Sequence, residues 1–283
     1  MKTALVLEGG ASRTYFSIGV MDALMKHGIC ADYVIGSSAG IANGISYVTN
    51  QQGRSLEIGM KYLNDKRYMG LWHLLNPFNR SYFNLKFVFQ KIPEKLVLFD
   101  YDAFKAFKGN VIAAVTDIKT GKVHYLEVPR DDRTWKTVIA SCSLPVMFKP
   151  VKINGHLFLD GGMSDSIPYK KAMDDGCEKV IVVLTREKEF VKGDEAMKGL
   201  INIMYRKYPR LLEAIANRPD MYNKAREEIF RLEEEGKLFV IMPEDTKNFD
   251  RMEADPDKIK DIYTKGYEIT ERRIEELKKY LEE

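Results

Sequence analysis

The sequence predicts an α/β fold: a mainly parallel sheet covered on both faces, with a helix-rich C-terminal extension. Three observations lead there. A strand, a tight turn and a helix follow one another twice within the first 50 residues. Short apolar runs then continue to alternate with helical periods, the pattern of strands buried on both sides. Beyond Glu189 the composition shifts to long charged segments, among which only Leu238 to Met242 reads as a strand.

Taken in order, Ala4 to Leu7 is a buried strand and Tyr15 to Lys26 carries apolar residues at helical spacing. Asp32 to Ile35 repeats the strand, and Ile41 to Val48 the helix. Val111 to Thr116 and His124 to Val128 form two strands around Lys119-Thr120-Gly121-Lys122, and Arg133 to Ala140 a helix. Asn154-Gly155 between Val151-Lys152-Ile153 and His156-Leu157-Phe158-Leu159 is a two-residue hairpin signal, and it delivers the chain to Asp160-Gly161-Gly162. Val180 to Leu184 is a further buried strand. The charges alternating from Lys224 to Lys237 and from Asp257 to Glu283 read as exposed helix faces. No repeat or Pro/Gly/Ser linker interrupts the chain, so a core over 1–188 and an extension over 189–283 are expected to pack together.

Composition narrows the function. With 44 basic and 41 acidic residues the net charge is +3, which gives no reason to expect a nucleic-acid partner. Cys30, Cys142 and Cys177 have neither metal-ligand nor framework spacing, so no zinc site is expected and a reducing, cytoplasmic compartment is. The apolar run before Glu8 is too short for a signal peptide, and no stretch approaches the ~20 apolar residues of a membrane span.

Gly36-Ser37-Ser38-Ala39-Gly40 matches G-x-S-x-G, the strand-to-helix turn that lifts a nucleophilic serine above a sheet. Gly9-Gly10-Ala11-Ser12-Arg13 leaves the first strand as a glycine-rich turn whose amides can hold an anion. It lacks the G-x-G-x-x-G spacing of a dinucleotide loop, with Thr14 where another glycine would sit. Of His27, His73, His124 and His156 none is placed as a catalytic base. Asp160, at a strand end before two glycines, is the better candidate, although Asp-Gly-Gly alone is an ordinary turn.

Together, Gly9-Gly10-x-x-Arg13, Gly36-x-Ser38-x-Gly40 and Asp160-Gly161-Gly162 resemble the three signature blocks of the patatin-like phospholipase family. Ala114-Val115-Thr116-Asp117 and the segment 141–150 add to the resemblance, which covers residues 2 to 185; Arg218 to Asn223 resembles the extension of bacterial cytosolic members. The resemblance implies a three-layer α/β/α fold and metal-free, cofactor-free hydrolysis of acyl esters of lipids by a Ser-Asp dyad. Ser38 would be the nucleophile and Asp160 the base. Gly9, Gly10 and Ala11, helped by Arg13, would bind the oxyanion, Gly36 and Gly40 would shape the elbow, and Gly161 and Gly162 the aspartate turn.

The loop departs from the family at two places. Ala11 stands where the glycine run usually has a third glycine, and Thr14 differs from the residue that usually follows the basic one. If position 11 needs a positive φ, alanine strains it. A catalytically weak lipid-binding protein is therefore the second reading, and a nucleotide-binding regulator the third. The stretch Tyr62 to Phe99 mixes aromatic and basic residues, as either an acyl-binding lid, a surface touching membranes peripherally, or plain core. Head group, acyl length and oligomeric state are not legible.

Overall fold

The computed structural model describes residues 1–194 and 197–283. The chain runs β1 (Thr3–Leu7), α1 (Thr14–Lys26), β2 (Tyr33–Ser37), α2 (Ala39–Val48), α3 (Arg54–Tyr62), α4 (Trp72–Leu75) and α5 (Tyr101–Ala106). It continues with β3 (Asn110–Asp117), β4 (Val123–Glu127), α6 (Lys136–Ser141), β5 (Val151–Ile153), β6 (His156–Asp160), α7 (Tyr169–Asp174) and β7 (Lys179–Val183). Last come α8 (Lys198–Met204), α9 (Pro209–Glu234), β8 (Phe239–Ile241), α10 (Pro256–Arg272) and α11 (Ile274–Glu282).

All eight strands join one sheet in the order β5-β6-β3-β2-β1-β7-β8, with β4 on β3. From β3 to β8 every pairing is parallel. The two hairpins expected from the turn residues supply the antiparallel remainder, β3 with β4 and β5 with β6, and β6 adds antiparallel to β3. Asn154 and Gly155 both take positive φ, 47° and 84°, as a two-residue hairpin turn requires.

Side chains alternate across the sheet. Leu5, Leu7, Val34, Ala113, Ile181 and Val183 face one layer, shared with Phe16 and Ile18 of α1, Ile41 of α2 and Ile262 and Ile269 of α10. Ala4, Val6, Ile35, Ile112, Val180 and Val182 face the other, with Tyr169 and Ala172 of α7 and Tyr222 and Ile229 of α9. Because both faces are covered, the central strands are apolar at nearly every position rather than at every second one. The result is the three-layer α/β/α arrangement expected.

The region after 189 contributes β8 to the sheet edge and α10 to the layer over α1. Those two helices meet backbone to backbone: a Cβ on Gly266 would lie 2.1 Å from the Phe16 carbonyl oxygen, and one on Gly19 2.0 Å from that of Tyr263. Side chains at either position would force the helices apart. One expectation needs correction. Arg226, within the charged run read as a solvated face, is 2% exposed and donates to the carbonyls of Glu187 and Lys188. A guanidinium donating to several carbonyls beyond β7 can be buried; charge alternation alone did not reveal that.

Candidate active site

The G-x-S-x-G segment folds as a strand-to-helix elbow. Ser37 closes β2, and Ser38 then takes φ 53° and ψ −132° before α2 begins at Ala39. A non-glycine residue in this region stores of order 1–3 kcal/mol of strain. Close packing imposes the turn: a Cβ on Gly40 would lie 2.6 Å from the Leu7 carbonyl oxygen and one on Gly36 2.8 Å from the Ile41 nitrogen. The Ser38 N–H donates to Ser141 Oγ at 2.9 Å, and that hydroxyl donates to the Ala114 carbonyl at 2.7 Å.

Strand register explains how Asp160 arrives beside this elbow. β4 occupies one edge of β3 from Ile112 to Thr116. The other edge is shared: β2 pairs along it in parallel and ends at Ser37 opposite Ala114. β6 pairs antiparallel and ends at Asp160 opposite Val115. Two strands thus approach from opposite directions and finish at adjacent positions of the same edge. Gly161 permits the exit, since a Cβ there would lie 2.2 Å from the Ala114 carbonyl oxygen.

Asp160 is 1% exposed on ordinary extended backbone, φ −48° and ψ 130°. Its N–H donates to the Ser143 carbonyl at 2.8 Å, and its Oδ1 accepts from Gly162 N–H at 2.8 Å. Burial pushes the carboxyl pKa above the usual carboxylate value; the Ser38 hydroxyl opposes this most, followed by the charge of Arg218. The remaining oxygen, Oδ2, makes no hydrogen bond of ordinary geometry. Hydroxyl and carboxylate are therefore neighbours whose contact is not fully closed.

The glycine-rich loop abuts the same elbow, because a Cβ on Gly9 would stand 3.1 Å from Ser38 Cβ. Its amides are not equivalent. Gly9 N–H donates to the Ser166 carbonyl and Ser12 N–H to that of Arg251, whereas Gly10 and Ala11 N–H have no acceptor among the described residues. Ala11 adopts φ 50°, the left-handed region that costs a non-glycine residue about 1–2 kcal/mol. Gly10 packs against Thr185, whose Oγ1 would be 2.8 Å from an added Cβ.

Arg13 does not stand alone. Burial and the charges of Arg186 and Arg251 hold its pKa below the ordinary value, with Glu8 pulling the other way. Glu8 is buried and accepts from Thr185 N–H at 2.5 Å and from the Tyr222 hydroxyl at 2.6 Å. Sequence reasoning missed this cluster and the approach of Arg218, whose Nη2 would lie 3.2 Å from a Cβ on Gly162. Both Tyr222 and Arg218 lie on α9, in the stretch whose weak resemblance to an extension was the available signal.

An apolar cavity of about 150 Å³, far beyond the ~10–15 Å³ one water needs, opens along α2 from Ala39 to Ile45. Tyr68, Met69, Phe83 and Phe89 line it from the aromatic stretch. Cys142 also borders it; burial raises the thiol pKa well above the ordinary value, so the sulfur stays protonated. The histidines are engaged elsewhere: His27 with Glu271, His73 with the Lys66 carbonyl, His156 with Asp117, and His124 against the His156 and Phe158 rings. Among the described residues no group of three or more His, Cys, Asp or Glu gathers as metal ligands would.

A family model described as patatin-like phospholipase matches residues 5–173, and a domain of unknown function matches residues 208–282. The uncharacterized protein YjjU of Escherichia coli is 26% identical over 229 residues, 72% of this chain and 60% of YjjU. Lysophospholipase NTE1 of Meyerozyma guilliermondii is 27% identical over 179 residues, 63% of this chain but 12% of NTE1. The chain thus spans less than two thirds of either relative. VipD from Legionella pneumophila aligns with a TM-score of 0.49 at 13% identity, covering 97% of this chain and 67% of VipD.

Proposed function

Since the chain belongs to the patatin-like phospholipase family, we propose that it hydrolyses carboxylic esters of lipids through Ser38 and Asp160, by way of an acyl-enzyme. The family and its lysophospholipase relatives support lipid hydrolase activity. The dyad reading is carried by one observation: β2 and β6 end at neighbouring positions on one edge of β3, opposite Ala114 and Val115.

In the first half-reaction Asp160 takes the Ser38 hydroxyl proton as the oxygen attacks the ester carbonyl. The open amides of Gly10 and Ala11 donate to the developing oxyanion, and each such donor typically contributes roughly 2.7–4 kcal/mol. Collapse expels the alcohol, which leaves with the proton held by Asp160. Water then gives a proton to Asp160, attacks the acyl-enzyme, and Ser38 regains its hydrogen as the acid departs. The acyl chain occupies the cavity beside α2. A raised Asp160 pKa makes the carboxylate a stronger base than a solvated one. The α9 segment works as part of the same unit, since Arg218 faces the base. Three free cysteines accord with a reducing cytoplasm.

A fluorophosphonate probe followed by peptide mass mapping tests this reading: the adduct is expected on Ser38, with parallel loss of p-nitrophenyl ester turnover. Turnover that persists in Ser38→Ala would exclude the dyad. The alternative, a weak or inactive lipid-binding protein, draws on Ala11 at φ 50° and the unclosed Ser38–Asp160 contact; it requires lipid binding with an unlabelled Ser38.

A further inference from the structure

Several stretches of the chain contain no acidic residue, and two of these also expose several large apolar side chains. Residues 66–93 carry Lys66, Arg67, Arg80, Lys86 and Lys91, and residues 197–212 carry Lys198, Arg206, Lys207 and Arg210. All nine are exposed. Since the whole chain nets +3, the remaining residues net −6, the difference between +3 and +9. Arg67, Lys198 and Arg210 pair with acids just outside the stretches, and the other six make no ion pair among the described residues.

The same stretches expose large apolar side chains. Leu71, Trp72, Leu75 and Phe78 are 69%, 51%, 86% and 97% exposed, and Leu200, Ile203 and Met204 of α8 are 46%, 69% and 52% exposed. Scattered exposed apolar residues are ordinary, but a cluster of this density amid basic residues is not.

Both stretches are anchored on one turn. Tyr82 N–H donates to the Met147 carbonyl, and the Phe83 ring packs edge-on against Phe148. From α8 and its end, Ile201 and Tyr205 share a cluster with Leu144 and Val146. The turn follows Ser143, whose carbonyl holds the Asp160 amide, and Tyr68, Met69 and Phe83 of the first stretch line the acyl cavity.

From this arrangement we propose that the two stretches form a docking surface for an anionic lipid bilayer, which presents substrate to the cavity; the purpose, though not the binding, rests on the hydrolase reading. Exposed Trp, Phe and Leu enter the interfacial layer while Lys and Arg meet acidic headgroups. A second copy of the chain is disfavoured as occupant, because a two-fold contact would set this cationic face against itself.

Flotation of the 283-residue Ser38→Ala chain with phosphatidylcholine vesicles, with and without phosphatidylglycerol, tests the proposal. Expected are binding that requires the anionic lipid, weakening with added salt, and at least about tenfold weaker binding in Leu75→Ser/Phe78→Ser and, independently, in Ile203→Ser. In the Ser38 background these variants should hydrolyse short soluble esters like the parent. Protein that stays in solution with anionic vesicles, or variants that bind undiminished, would overturn it. A dimer abolished by the same substitutions would also overturn it, by assigning the face to a second copy. Vesicle binding by a wild-type chain that turns over no ester supports the surface while removing the hydrolase reading.

Discussion

The elbow at Ser38 and the turn at Asp160 lie side by side, yet they hold their side chains in opposite ways. Ser38 is kept by backbone strain, at φ 53°, with its N–H tied to Ser141. Asp160 sits on relaxed backbone and is kept by burial, with one oxygen capped by Gly162 and the other open. For the proposed nucleophile the distorted turn supplies direction, and for the proposed base removal from water supplies a raised pKa. Both devices cost stability, through different physics, and substitutions can separate them.

The largest effect is expected at the strained member. Ser38→Gly should abolish ester turnover, by about 10³-fold or more, while raising stability by about 1–2 kcal/mol as the backbone strain disappears; urea denaturation measures the second. A destabilised Ser38→Gly would show that the elbow is unstrained.

Asp160→Asn should also lose about 10³-fold in kcat/KM, but its stability gain should depend on pH. The native carboxyl has a raised pKa, so the native state binds its proton more tightly than the unfolded chain. Wild-type stability therefore falls as pH rises from the unfolded value of ~3.9 through the native one. The variant lacks that fall, and its Tm advantage should be absent in strong acid and full at neutral pH. A pH-independent difference would mean that burial is not what the carboxylate is held by.

Arg218→Met removes a charge that lowers the Asp160 pKa. The acidic limb of the kcat/KM profile should move to higher pH, with rate at neutral pH reduced up to about tenfold. An unmoved limb would restrict Arg218 to packing. The smallest effect is expected at Ala11→Gly, a stabilisation below about 1 kcal/mol from relief of φ 50° without loss of turnover.

Much of this was legible in the sequence because it depends on local rules. Apolar runs marked β1, β2, β3 and β7, and Asn154-Gly155 marked the hairpin before Asp160. Boundaries moved where caps rather than periodicity decide: the helix expected from Arg133 begins at Lys136, after Asp132 accepts from the Thr134 and Lys136 amides. The aromatic stretch divided in a way no pattern announced, with Phe87 and Ile92 buried, Phe89 on the cavity and Phe78 fully in solvent. What stayed hidden is long-range. Glu8 with Tyr222, Arg218 with Asp160 and Gly19 against Tyr263 join segments whose spacing carries no periodic signal.

The abutment of β2 and β6 on a single edge of β3 also bears on how the chain matures. Serine follows one strand and aspartate ends another, far apart in sequence, and the two are brought together along that shared neighbour. A nascent or partly unfolded chain can hold the elbow without the carboxylate, or the hairpin without the hydroxyl, but not a working pair. In the proposed mechanism, ester hydrolysis therefore requires the finished sheet, and misassembled copies lack the paired groups by topology.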